Sequence, residues 1–335
     1  MKVVKSSKEM LLSSHVMQHL AQGCEWWPKY IYHFSHVTNI ASIINDGLLR
    51  SRNQVKEINN KNLNDNASSD VIGGTEEKYK DYVRFYFRPL TPTQYHNEGI
   101  RAKHQITNLG AHCPIPVFLL FNPIMLDQPN VYFSYESLAS HHHVQLHKGL
   151  ERLSEAPFHY IYHNESTANL DGTRIRKHRQ AEIIIEKQCD LRYLEKIVCR
   201  TTAEADTLKS LLNIVAMNDY SDKICVLTEG TFDTTDPKTM FYNYYLQILN
   251  VTQSRSNFII EFNKNDYYPR NIDIKWLDRR EACICYFNKE KYSLSNKSRI
   301  NKLTVDMSNF LMKHDFVKVE LKLDGHLIYC NEFYF

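Results

Sequence analysis

The sequence has no apolar run approaching the roughly 20 residues a helix needs to span a bilayer. The stretch MKVVKSSKEMLLSSHVMQ carries lysines, but no continuous apolar core and no small-residue cleavage site, so no secretory signal is read there. There is no CxxC pair and no HExxH. The eight cysteines are scattered, and only Cys283 and Cys285 stand close, in the alternating run ACICYF. That spacing argues against zinc and for reduced, mostly buried thiols. The expectation is a soluble, cytoplasmic protein. Net charge is nearly absent as well, since 41 Lys and Arg against 38 Asp and Glu leave +3. Residues 236–335 hold 15 of the former and 12 of the latter, so the chain before them is balanced. Bulk charge therefore does not mark a nucleic-acid binder, and any phosphate contact must come from a local cluster.

What is present suffices for a core. Apolar residues make up 43% of the 335, a length that suggests two domains or one large one. In YIYHFSHVTNIASIINDGLL, residues 30–49, a short strand is expected to end near His33. Thr38 is the expected cap of a helix carrying Ile40, Ile43 and Ile44, and Gly47 its stop. Residues 50–81 are rich in Asn, Ser, Asp and Gly and lack apolar periodicity, as in a functional lid or a disordered segment. From Tyr82 to Arg88 the chain alternates strictly: Val83, Phe85 and Phe87 form a core face, opposite Tyr82, Arg84, Tyr86 and Arg88. That second face suits either solvated arginines or phosphates and stacked bases.

PVFLLF, residues 116–121, reads as a buried strand. His141, His142, His143 and His147 include one helical i, i+4 spacing, but no carboxylate or cysteine completes a metal site. Substrate contact or a solvated face is expected instead. Later come a strand at IIIE, another at 196–200, and a helix from Thr202 with Leu208, Leu211 and Leu212 on its apolar stripe. Turn-rich residues 228–238 suggest a boundary. Beyond it lie short alternating runs, the last two joined by Asp324-Gly325, a hairpin signal.

One carboxylate occupies an unusual position. Glu182 lies between a cationic stretch (Arg174, Arg176, Lys177, His178, Arg179, then Gln180) and three isoleucines. A solvated strand end would explain it, and so would a catalytic acid beside an anion-binding segment.

YHFSHVTNIASIINDGLL, YVRFYFRPLTPTQY, and HRQAEIII followed by KIVCRTTAEADTLKSLL together resemble, in that order and spacing, the DarT family of DNA ADP-ribosyltransferases, toxin halves of bacterial toxin–antitoxin pairs. The resemblance covers about residues 25–230 and says little of residues 236–335. It implies an α+β chain: residues 1–230 as an ADP-ribosyltransferase fold, a split mixed β-sheet with flanking helices, and residues 236–335 as a small β-rich domain of unknown role. It implies NAD+ as co-substrate and single-stranded DNA as acceptor. His33 and Ser35 would contact the nicotinamide and its ribose, Asn39 would help shape the cofactor site, and the long polar loop would lie over NAD+. Glu182 would be the catalytic glutamate, and the loop from about Asp171 to Gln180 would face the DNA. A macrodomain antitoxin of the DarG kind is the implied partner.

The chemistry suits these residue types. Breaking the nicotinamide–ribose bond builds positive charge on the sugar, which a placed carboxylate stabilises. Nicotinamide leaves readily, so no metal is needed. Arg52, Arg84 or Arg88 could meet the pyrophosphate, and Arg174, Arg176, Lys177, His178 and Arg179 the strand's phosphates. Two departures bear on the base. Relatives that modify thymidine carry an arginine after the first helix, whereas residues 53–80 hold none, with Arg50, Arg52, Lys56, Lys61, Lys78 and Lys80 as alternatives. Leu90 stands where some relatives have arginine. Guanine and thymine both stay open. The competing functions are the same transfer to RNA or protein, and a non-catalytic nucleic-acid-binding module.

Overall fold

A computed structural model describes residues 6–58, 76–106, 110–139, 143–168, 170–227, 232–234, 236–264, 266–294, 301–309 and 314–335. Most of the expected loop (residues 59–75), together with His141 and His142, lies outside the described residues.

Strands β1 (Ile31–His36), β2 (Leu48–Arg50), β3 (Tyr82–Tyr86), β4 (Pro116–Phe121), β5 (Val131–Phe133), β6 (Glu182–Glu186), β7 (Gln188–Asp190), β8 (Leu194–Cys199) and β9 (Ile224–Val226) build the first part of the chain. Helices α1 (Val37–Asp46), α2 (Arg52–Glu57), α3 (Pro92–Asn97), α4 (Gly172–His178) and α5 (Thr202–Leu211) accompany them. Seven strands form one sheet in the order β5-β6-β3-β1-β4-β8-β9, antiparallel except for β8 with β9. β1 shares six register pairs with β4, and β3 shares five with β6, but β1 and β3 share only Tyr32 opposite Tyr86. The sheet splits there, as the fold implied by the resemblance requires.

Local chemistry explains the elements and corrects some boundaries. β1 runs on to His36, and α1 is capped by His36 rather than Thr38: the His36 ring accepts from the Thr38 N–H at 3.4 Å. Gly47 ends α1 at φ +66°, a left-handed conformation glycine adopts without a Cβ penalty. β3 stops at Tyr86, because Pro89 and a left-handed Leu90 (φ +57°) turn the chain. β6 is apolar without alternation because both its faces are covered. Ile183 and Ile185 enter the main core, and Ile184 packs with Tyr79, Leu138 and Val144.

The later strands are β10 (Ile248–Gln253), β11 (Asn257–Phe262), β12 (Pro269–Leu277), β13 (Cys283–Ser293), β14 (Lys302–Asp306), β15 (Phe316–Leu323) and β16 (His326–Tyr334). They form a three-stranded sheet, β10-β11-β14, and a four-stranded one, β13-β12-β15-β16. Their shared core includes Phe258, Ile260, Trp276, Val319 and Leu321, with the Phe258 and Trp276 rings edge to face at 5.4 Å. The Asp324-Gly325 hairpin joins β15 to β16 as expected. Helix α5 binds the two parts. Thr201 and Ser210 donate to the carbonyls of Ile248 and Cys330, and the Cys330 N–H donates to Thr207.

Candidate active site

The split in the sheet lines up three residues across β1, β3 and β6: Tyr32, Tyr86 and Glu182. Adjacent strands lie about 4.8 Å apart, so the Glu182 backbone sits roughly 10 Å from that of Tyr32, the neighbour of His33. Glu182 is 2% exposed. Burial pushes its carboxyl up from the ordinary range, while Arg84, the Leu138 N–H and the Ser137 side chain pull it down. Arg84 Nη1 stands 3.6 Å from Oε2, and the Leu138 N–H donates to Oε2 at 3.4 Å. The Glu182 carbonyl accepts from the Ser134 N–H. The carboxyl is therefore aimed and nearly dry, in the setting where a charge acts most strongly on a neighbour.

His33, on β1, holds its Nδ1 3.0 Å from the Arg84 carbonyl. A carbonyl only accepts, so Nδ1 carries the proton, and in the neutral ring Nε2 is the acceptor. Burial keeps the ring neutral by lowering its pKa. Arg84 thus touches both groups, His33 through its backbone and Glu182 through its guanidinium. Ser35 and Asn39 are joined by a 2.9 Å hydrogen bond from the amide to the hydroxyl. Arg52 opens α2, whose cap is Ser51.

Arg88 does not belong with these. It is 1% exposed, donates to the carbonyls of Pro89, Ile161 and His163 and to the Asn164 side chain, and lies over the Trp27 ring at 4.3 Å. Burial lowers its pKa to about 9. A guanidinium so committed holds the framework and is not offered to a pyrophosphate, which corrects its place in the expected cofactor set.

The cationic stretch is a helix, not a loop. Asp171 caps α4 by accepting from the Arg174 N–H at 3.0 Å, and Ile175 anchors it in the interior. Arg174 lies over the Tyr160 ring at 4.7 Å; it and Arg176 are exposed. Lys177 is paired with Glu136 at 2.7 Å. His178 stacks on Tyr160 and bonds the Tyr135 carbonyl. Arg179 turns inward to the His163 ring and the Glu165 carbonyl. Gln180 meets Thr93 of α3 at 3.4 Å. A cavity of about 530 Å³ lies at the other end of β6, its wall including Tyr79, Tyr82 and Glu186 rather than Glu182. Among the described residues, no three His, Cys, Asp or Glu side chains are grouped so as to hold a metal ion.

The model of the family described as "ssDNA thymidine ADP-ribosyltransferase, DarT" matches residues 32–226. The chain belongs to the DarT family. It is an NAD+-dependent enzyme that transfers ADP-ribose to single-stranded DNA. Solved structures similar to it include Thermus sp. 2.9 DarT in complex with ADP-ribosylated ssDNA. That match has 18% identity and a TM-score of 0.46, and covers 59% of this chain and 94% of the other. The same DarT in complex with NAD+ matches at 18% and 0.44, covering 59% and 95%. Thermosipho africanus DarTG in complex with ADP-ribose matches at 13% and 0.42, covering 54% and 46%. No curated protein matches the chain. No helix among the described residues is long and apolar enough to cross a membrane.

Around Glu182, the hydrogen-bond donors carry no signal in the sequence. Ser137 and Leu138 lie more than 40 residues from it in sequence, in a segment without a motif. Tyr86 was foreseen only as an outward-facing phenol. It sits opposite Glu182, bonds Thr93, and has its pKa raised by burial and then by the Glu182 charge.

Proposed function

We propose that Glu182 is the catalytic carboxylate of this DarT, acting on NAD+ seated where β1 and β3 part, with His33 and Arg84 on either side. The observation that carries this is the Glu182 setting: a buried carboxyl raised by desolvation and held ionisable by Arg84 and two hydrogen-bond donors. His33 Nε2 accepts from a ribose hydroxyl, and Ser35 and Asn39 shape the wall beside it. Arg84, with Arg52 at its margin, meets the pyrophosphate. As the bond from the ribose C1 to nicotinamide breaks, nicotinamide leaves neutral and the sugar becomes cationic. Glu182 stabilises that charge and holds the neighbouring hydroxyl. A base nitrogen then bonds to C1 and gives its proton to Glu182, whose raised pKa suits it to receive one. Arg174 and Arg176 are the outermost phosphate contacts, and an unpaired base enters without the cost of unstacking from a duplex.

The family description names thymidine, and the arginine-free segment and Leu90 keep guanine as the second reading. The chain acts as a toxin in this reading, with a macrodomain antitoxin as partner. Its β-rich part begins after Phe241, since Met240 and Phe241 are buried in the first core. Incubation with NAD+ and separate DNA, RNA and protein acceptors tests the proposal. Adducts on single-stranded DNA are expected, and adducts on RNA or protein but never on DNA would overturn it.

A further inference from the structure

Tyr95 and Tyr244 are large aromatic side chains left open to solvent, at 48% and 59% exposure, and they sit side by side. Tyr95 is on α3, two residues past Thr93, the residue that meets both Gln180 and Tyr86. Tyr244 belongs to the segment that leads into the β-rich part, beyond the residues matched by the family model. Their rings lie 6.1 Å apart edge to face, and Tyr242 fills the angle at 5.2 and 5.8 Å.

The cluster is built to stay in place. The Tyr242 hydroxyl donates to the carbonyl of the left-handed Leu90 at 2.7 Å. Buried Glu98 accepts the N–H groups of Tyr242 and Asn243 at 3.1 and 3.0 Å. Cations surround it. Arg101 donates to the Tyr95 carbonyl at 2.6 Å and lies over Tyr245 at 4.0 Å; Lys264 donates to the Tyr244 carbonyl; and the Arg179 charge acts on Tyr242. Open tyrosine rings beside the exposed Lys264, two residues along α3 from Thr93, are the chemistry that takes a single strand, with rings for bases and a cation for phosphate, while buried Arg101 and inward-turned Arg179 spend their donors on the frame.

We propose that Tyr95 and Tyr244, backed by Tyr242, form a stacking platform for bases of the DNA strand flanking the modified one, so that the segment after Phe241 completes the substrate face. This rests on the proposed function for the direction of the strand, but its test does not need turnover.

The probe is a fluorescent single-stranded oligonucleotide of about 12 nucleotides, within the span such surfaces cover. Its anisotropy is read on full-length protein carrying Glu182→Gln. Adding Tyr95→Ala and Tyr244→Ala should weaken the Kd by roughly tenfold or more, the loss expected when base stacking is removed. Tyr244→Phe should restore most of its share, because the ring and not the hydroxyl does the stacking. NAD+ affinity and melting temperature report that the variants are folded. An unchanged Kd in the double variant, or no binding of the oligonucleotide before it, overturns the platform. Binding that depends on the tyrosines, with no adduct formed by the protein bearing Glu182, would instead overturn the proposed function and leave the platform standing.

Discussion

Glu182 and Arg84 set each other's usefulness. Among the described residues, Arg84 is the positive charge beside the buried carboxyl and one of the influences that keep it ionisable. With Arg84→Gln, burial acts with less opposition, so the Glu182 pKa moves higher. The acidic limb of the kcat–pH profile at saturating NAD+ should then move to higher pH. A limb that stays put would mean that a group other than Glu182 governs it. Any loss of pyrophosphate binding shows separately, as a raised KM for NAD+. Arg84 and Arg88 show what sequence can distinguish. Both fall on the same face of an alternating run, yet one reaches the site and the other spends its donors on carbonyls. The strand ends between them, and only the turn at Pro89–Leu90 decides it.

At the scale of elements, α4 presents Arg174 and Arg176 outward, while Lys177 is held by Glu136 and Arg179 points inward. Arg174→Ala with Arg176→Ala should therefore lower the slope of log K against log salt for single-stranded DNA by about 1.4, two contacts' worth of released counterions. NAD+ affinity should not change. An unaltered slope would remove α4 from the DNA face. The helix was not legible as one because TRIRKH has a single apolar residue, Ile175, too few to show a period. β6 was legible because burial on both faces demands an unbroken apolar run. The split mixed sheet was implied by the resemblance and not by such runs, and its strand order is set by long-range pairing that no run announces. The Ser137 and Leu138 donors reach Glu182, and the tyrosines at 242 and 244 reach Tyr95, through tertiary contacts that no local pattern announces.

Among the described residues, the two larger cores are joined by α5 and, among other contacts, by a histidine pair. His36 and His112 from the first part are buried neutral, each with its pKa lowered to about 3, mainly by burial and then by His326 of β16. The His112 and His326 rings meet edge to face at 4.7 Å. Arg101 opposes charge on His112, and Asp324 favours it on His326. A base whose folded pKa is depressed gives stability that is present above its unfolded value of 6.5 and lost as pH falls towards the folded one. Between about pH 6.5 and 3, each of the two buried rings should cost up to about 1.4 kcal/mol per pH unit. Urea midpoints at pH 7 and pH 5 test this: the wild type should lose more than His36→Gln, and equal losses would mean that His36 stays neutral in the unfolded chain or is not buried.

The most direct test of the central claim is the mass of a single-stranded oligonucleotide after incubation with NAD+ and either wild-type protein or Glu182→Gln. Wild type should add ADP-ribose to one base, and the mass of the fragments gives that base. The variant should be slower by about 10²–10³-fold, while binding NAD+ and melting no lower than wild type, since it removes a buried charge that costs stability at neutral pH. Full modification by a well-folded Glu182→Gln protein would contradict the account.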